Sequence, residues 1–178
     1  MPRLTQRSVA AFTLLELMTV ITVILILAAM IVGVFAGMRE RADVAACSTN
    51  LKSLYAAAAA YLQQNGQWPQ ISTSTLKTQG DTQYASAWIA AFRPYGVGPN
   101  NWLCPSIQRD LGNPDVSQPA NIRIDYFATP FDGRPGTPFL WPHQPWFIER
   151  GAPHQGGNLM IWTNGQILNL TQALQFQQ

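Results

Sequence analysis

From Leu17 to Met38 the chain runs 22 residues without a charge, almost all of them apolar. A helix of that length rises about 33 Å, against roughly 30 Å of hydrocarbon in a bilayer, so the pattern predicts one membrane-crossing helix. The periodicity then changes. Val44, Cys47, Leu51, Leu54, Ala58 and Tyr61 follow one another at spacings of 3, 4, 3, 4 and 3, which lines one face of a helix continuing to Asn65. Gly66 supplies the residue favoured for a left-handed C-cap. Asp81 has the character of an N-cap for a second, Ala-rich helix through Phe92, stopped by Pro94. Ile122, Ile124 and Tyr126 alternate with Arg123 and Asp125, the mark of a half-buried strand. Leu159–Thr163 and Gln166–Leu170 flank Asn164-Gly165, the strongest signal for a two-residue hairpin. A one-sided helix must bury its apolar face. The predicted class is therefore α+β: a long N-terminal helix packed on a small antiparallel sheet, with loop-rich insertions.

Composition changes this picture in one stretch. Between Pro94 and Pro153, 17 of 60 residues are Pro or Gly, a density found in disordered chains. Nine aromatics in the same window argue instead for a packed structure rich in loops. The 140 residues Arg39–Gln178 suffice for one domain with its own core. Trp88 and Trp162 are expected inside it. Trp68, Trp102, Trp141 and Trp146 fall in loops, where an aromatic either joins the core or waits on the surface for a ligand.

Charge sets direction. Arg3 and Arg7 give +2 ahead of the apolar run, whereas Arg39, Glu40, Arg41 and Asp43 cancel after it, so the N-terminus is expected in the cytoplasm and the C-terminal part outside. The run is too long for the 7–15-residue core of a cleaved secretory signal. A plain anchor would account for the span but not for Glu16, a carboxylate inside apolar sequence that costs about 2.5–3.5 kcal/mol at mid-bilayer.

The segment Ala11-Phe-Thr-Leu-Leu-Glu16-Leu-Met-Thr-Val-Ile resembles the N-terminal signature of type IV pilins and type II secretion pseudopilins. The resemblance implies that residues 1–11 are a leader removed by a prepilin peptidase between Ala11 and Phe12, and that the new Phe12 amine is methylated. Ala11 stands where the family usually has Gly. It further implies a transmembrane helix over 12–38 and a periplasmic pilin-like domain over 39–178, with the helix continuing through 39–65. Glu16 would pair with the Phe12 amine of a neighbouring subunit, fixing register rather than adding raw stability. A contact of that heterologous kind does not close on itself and builds a filament. The implied partners are the peptidase, like subunits and an inner-membrane assembly platform. Gly33, where pilins often carry Pro, and Gly37 mark either a soft point in the helix or positions for close helix packing. Two looser likenesses extend the match: Asn50-Leu-Lys-Ser-Leu with Leu103-Cys-Pro-Ser106, and His154 ahead of Asn164-Gly165, which resembles the H-x9-DG segment of one group of prepilin-type proteins with Asn in place of Asp.

The expected role is a structural subunit of a secretion fibre; a pilus subunit and an anchored binding module using loop Trp residues are the alternatives. No nucleophile elbow, HExxH, P-loop or CxxC pair is present, so no enzyme is expected. Removing the leader takes 11 basic and 9 acidic side chains to 9 and 9, which argues against nucleic-acid binding. Cys47 and Cys104 both fall in the exported part, where a single disulfide can form; two buried thiols are the alternative. A zinc set of Cys47, Cys104, His143 and His154 lacks short paired spacings, and no metal site is expected from it. The resemblance raises calcium, with Asp110, Asp115, Asp125 and Asp132 as loop oxygens and no assignable ligand set.

Overall fold

The computed structural model describes residues 12–73 and 80–175. The leader expected at 1–11, Ala11 included, lies outside the described residues. The chain divides into two units at Glu40–Arg41.

Helix α1 runs from Leu14 to Asn65. Its stretch Leu14–Ile31 is long and apolar enough to cross a membrane, and none of it is buried. The helix is one element through Gly33 and Gly37. Its N-terminus carries a reciprocal cap: Glu16 N–H donates to Thr13 Oγ1 at 3.2 Å, and Thr13 N–H donates to Glu16 Oε2 at 3.2 Å. This is a capping box, Thr-x-x-Glu, satisfying donors that a helix start leaves orphaned. At the other end Gly66 takes the left-handed conformation, φ +73°, and its N–H closes on Leu62.

In the second unit the predicted stripe is the inner face. Cys47, Leu51, Leu54 and Ala58 are fully buried, and Val44 and Tyr61 pack on the same core at its edge. Helix α2 spans Gly80–Phe92, with Asp81 inside its first turn rather than ahead of it. A 3-10 turn at Arg93–Tyr95 follows, carrying the Pro that stops the helix. Helix α3, Pro105–Asp110, starts with Pro at its first position, where the missing N–H costs nothing.

The sheet is a four-stranded antiparallel meander in the order β1 (Tyr126–Ala128), β2 (Phe147–Glu149), β3 (Leu159–Ile161), β4 (Ile167–Asn169). Tyr126 faces Glu149, Phe147 faces Ile161, and Leu159 faces Asn169. A four-residue helix α4, Thr137–Leu140, sits in the long β1–β2 connection, and helix α5, Leu170–Gln175, follows β4. Asn169 and Gln172 cap α5 reciprocally, at 2.8 and 3.1 Å.

Two strand expectations need correction. Residues 122–125 are not strand, and Asp125 points inward. Its N–H donates to the Trp102 carbonyl and its own carbonyl accepts from Arg150, both at 2.7 Å, so the backbone is clamped between two loops. The carboxylate then turns to the Cys104 N–H at 2.9 Å and Arg123 Nε at 3.0 Å. The hairpin holds three loop residues, not two. Trp162 N–H bonds the Gln166 carbonyl, Gly165 N–H returns to the Trp162 carbonyl, and Gly165 takes φ +77°. A turn followed by a left-handed residue is the usual three-residue solution. Tyr55 on α1 donates to the Thr163 carbonyl at 2.8 Å and holds the turn against the helix.

The core between helix and sheet is aromatic. Trp68 lies 5.1 Å from Phe131 and 5.3 Å from Trp146, and Trp88 and Phe92 bridge to Trp102 and Phe147. Trp88 is core as expected, while Trp162 is half-buried. Of the four loop tryptophans, Trp68, Trp102 and Trp146 are fully buried in the core and Trp141 is exposed. Their bulk explains this, since rings of that size supply the area that strands of three residues cannot.

Candidate functional site

Two places carry chemistry. The first is the start of α1. Phe12 is exposed, and Glu16 stands one turn from it in a helix whose side chains are exposed throughout 12–31. The Thr13 hydroxyl also donates to Glu16 Oε2, at 3.0 Å, so the carboxylate is held by the residue three before it.

The second place lies under the Cys-Pro-Ser segment. Asn50 donates to the Leu103 carbonyl at 2.9 Å, and Ser106 donates to Asp43 at 3.2 Å. Arg109 on α3 forks onto Asp43, pairing α3 with α1. The Arg109 hydrogen bond holds the Asp43 carboxyl below the ordinary carboxylate range, against the opposing effect of burial. These contacts bring Cys104, the N-cap residue of α3, against Cys47 on α1. The two are free cysteines, fully buried, with sulfurs 2.9 Å apart. These are the two cysteines that the sequence offers as a disulfide pair, and the structure brings them together as two thiols. Contact with Cys104, then burial, pushes the Cys47 thiol far up. Burial, then the neighbouring Cys47, does the same to the Tyr126 phenol.

Glu149, the last residue of β2, and His154, in the β2–β3 loop, complete the group. Donor atoms of Cys47, Cys104, Glu149 and His154 all lie within 4.8 Å of one another, and all four residues are buried. His154 Nε2 is 3.3 Å from Glu149 Oε1 and 3.8 Å from Cys104 Sγ. This corrects the zinc arithmetic of the sequence, because Glu149 takes the place that His143 was given, and His143 is exposed. Glu149 carries no mark in the sequence, since its neighbours along the chain, Ile148 and Arg150, say nothing of a cluster. Only the antiparallel register that sets it opposite Tyr126 brings it in.

Three of the four aspartates named for calcium have other partners. Asp115 accepts from Ser117 N–H at 3.0 Å and Asp132 from Arg134 Nε at 2.8 Å, in turns of their own, while Asp125 belongs to the buried ion pair with Arg123.

In comparisons with known proteins, no family model, no curated protein and no solved structure matches this chain.

Proposed function

We propose that the chain is a non-enzymatic, pilin-like structural subunit, a pseudopilin of a type II secretion fibre. In this reading a prepilin peptidase cuts between Ala11 and Phe12 and the Phe12 amine is methylated. The helix anchors the subunit in the inner membrane, the C-terminal domain stands in the periplasm, and subunits polymerise with their like on an inner-membrane platform. The observation that carries it is the exposed apolar surface of residues 12–31, interrupted by the single carboxylate Glu16 one turn from Phe12. So much exposed apolar surface requires lipid or other subunits to cover it. A pilus subunit would share every one of these features. The binding-module alternative loses support from the burial of Trp68, Trp102 and Trp146.

The capping box sharpens the test. Glu16 has a local role at the helix start as well as the proposed role toward a neighbour's amine, and Glu16→Gln separates them: Gln caps equally well and carries no charge. Processing and the folding of residues 41–175 should be unchanged in Glu16→Gln, while crosslinked multimers or fibres should be lost. Assembly at the wild-type level would refute the paired-charge mechanism.

A further inference from the structure

We infer that Cys47, Cys104, Glu149 and His154 form a structural zinc site that fastens α1, the loop before α3, the end of β2 and the β2–β3 loop to one another. The donors are the types zinc takes: two sulfurs, an imidazole nitrogen and a carboxylate oxygen. Thiolate ligands exclude calcium and magnesium, which take oxygen.

The geometry favours coordination over two other uses of the same residues. A Cys–His–Glu catalytic relay needs the thiol on one ring nitrogen and the carboxylate on the other. Here Cys104 Sγ and Glu149 Oε1 both face Nε2, at 3.8 and 3.3 Å, so the three atoms surround a common point. A disulfide would use the sulfurs and leave Glu149 and His154 as a fully buried pair 3.3 Å apart, and the desolvation cost of such a pair can exceed its attraction. Zinc engages all four. For bonds of about 2.3 Å to sulfur and 2.0–2.1 Å to nitrogen and oxygen, a tetrahedron places nitrogen and oxygen about 3.4 Å apart and nitrogen and sulfur about 3.5 Å apart. The corresponding separations are 3.3 and 3.8 Å. The sulfurs, at 2.9 Å, must part to about 3.8 Å, and all four donors already lie within 4.8 Å of one another.

Glu149 has its outer shell in place. Glu149 Oε2 accepts the Leu159 N–H at 3.1 Å, which leaves Oε1 for the metal, and Asn158 donates to the Glu149 carbonyl at 2.7 Å. Two thiolates, one carboxylate, a neutral imidazole and a dication sum to −1, the same charge as a Cys3His site. Four protein ligands in a buried setting leave no open position, so the role is structural.

The test uses the full-length chain, purified in detergent without chelator. Elemental analysis should find about one zinc per chain. Stripping the metal under reducing conditions should lower the melting temperature, and returning Zn2+ should restore it. Loading Co2+ instead should give thiolate-to-cobalt charge transfer in the near ultraviolet, with the visible bands of four-coordinate cobalt. Glu149→Gln should shift those bands and weaken Co2+ binding at least roughly tenfold, Cys104→Ser should about halve the charge-transfer intensity because Cys47 still ligates, and replacing both cysteines by Ser should abolish it. Near-ultraviolet circular dichroism verifies that each variant is folded, and the wild-type strip-and-reload series decides the matter without any variant. A Cys47–Cys104 disulfide peptide from freshly purified protein would overturn the proposal. So would reduced protein that holds no zinc and develops no cobalt charge transfer.

Discussion

Glu16 and Glu149 are both carboxylates set among apolar residues, and the protein satisfies them in opposite ways. Glu16 lies on an exposed helix and is capped from three residues away by Thr13. Glu149 lies in a closed interior and depends on Leu159 and His154, brought to it by sheet register and a loop. The same contrast runs through the two units. Residues 14–31 turn apolar side chains outward, none of them buried among the described residues, whereas residues 41–175 turn aromatics inward and take Asp43, Asp125 and Glu149 in with them. In the first unit stability is local and the apolar surface is left for something else. In the second, distant parts of the chain supply partners for Asp43 and Glu149, from Arg109 and Leu159.

The largest test of that contrast is a pair of aromatic truncations. Trp68→Ala empties a fully buried site in contact with Trp88, Phe131 and Trp146 and should cost the domain about 4 kcal/mol in denaturant unfolding. Phe35→Ala removes a ring that is 64% exposed and should leave the unfolding midpoint of the domain unmoved. Equal losses would mean that the first unit also owes its aromatics to internal packing.

A smaller effect belongs to Asp43. Because the Arg109 hydrogen bond depresses its folded pKa, ionised Asp43 contributes stability above the ordinary carboxylate pKa, and that contribution is lost as pH falls through the depressed value. Asp43→Asn should cost about 1 kcal/mol at neutral pH, Arg109 being partly exposed, and should flatten the acid side of the stability profile. An unchanged acid limb would remove Asp43 from the account.

The smallest effect is expected at Trp141, whose ring is exposed. Trp141→Ala should change stability by less than about 0.5 kcal/mol. Its fluorescence should not respond to sugars or peptides, and saturable quenching would revive the binding-module reading.

What was legible in the sequence follows the same division. Helix periodicity, the Gly66 stop and the hairpin depend on neighbours within a turn or a loop, and each is present, the hairpin with one more loop residue than Asn164-Gly165 alone suggests. Both capping boxes were equally local, Thr13 to Glu16 and Asn169 to Gln172, and a search for the N-terminal x-x-Glu/Gln pattern finds them. The inward turn of Asp125 was not legible, because it follows from bonds to Trp102 and Arg150. The buried cluster was half legible. Cys47 announced itself by its place in the stripe, but Glu149 joins residues separated from it by 45 and 102 positions, and no short spacing encodes that.

The central claim is that the exposed N-terminal helix belongs to a processed, polymerising subunit, and the chemical state of its first residue tests this most directly. Intact-mass and N-terminal peptide analysis should be made on protein from cells with an active prepilin peptidase. The account predicts a chain that begins at Phe12, lacks residues 1–11 and carries one added methyl group on its amine. A chain that begins only at Met1, with no methylated Phe12 peptide, would contradict it.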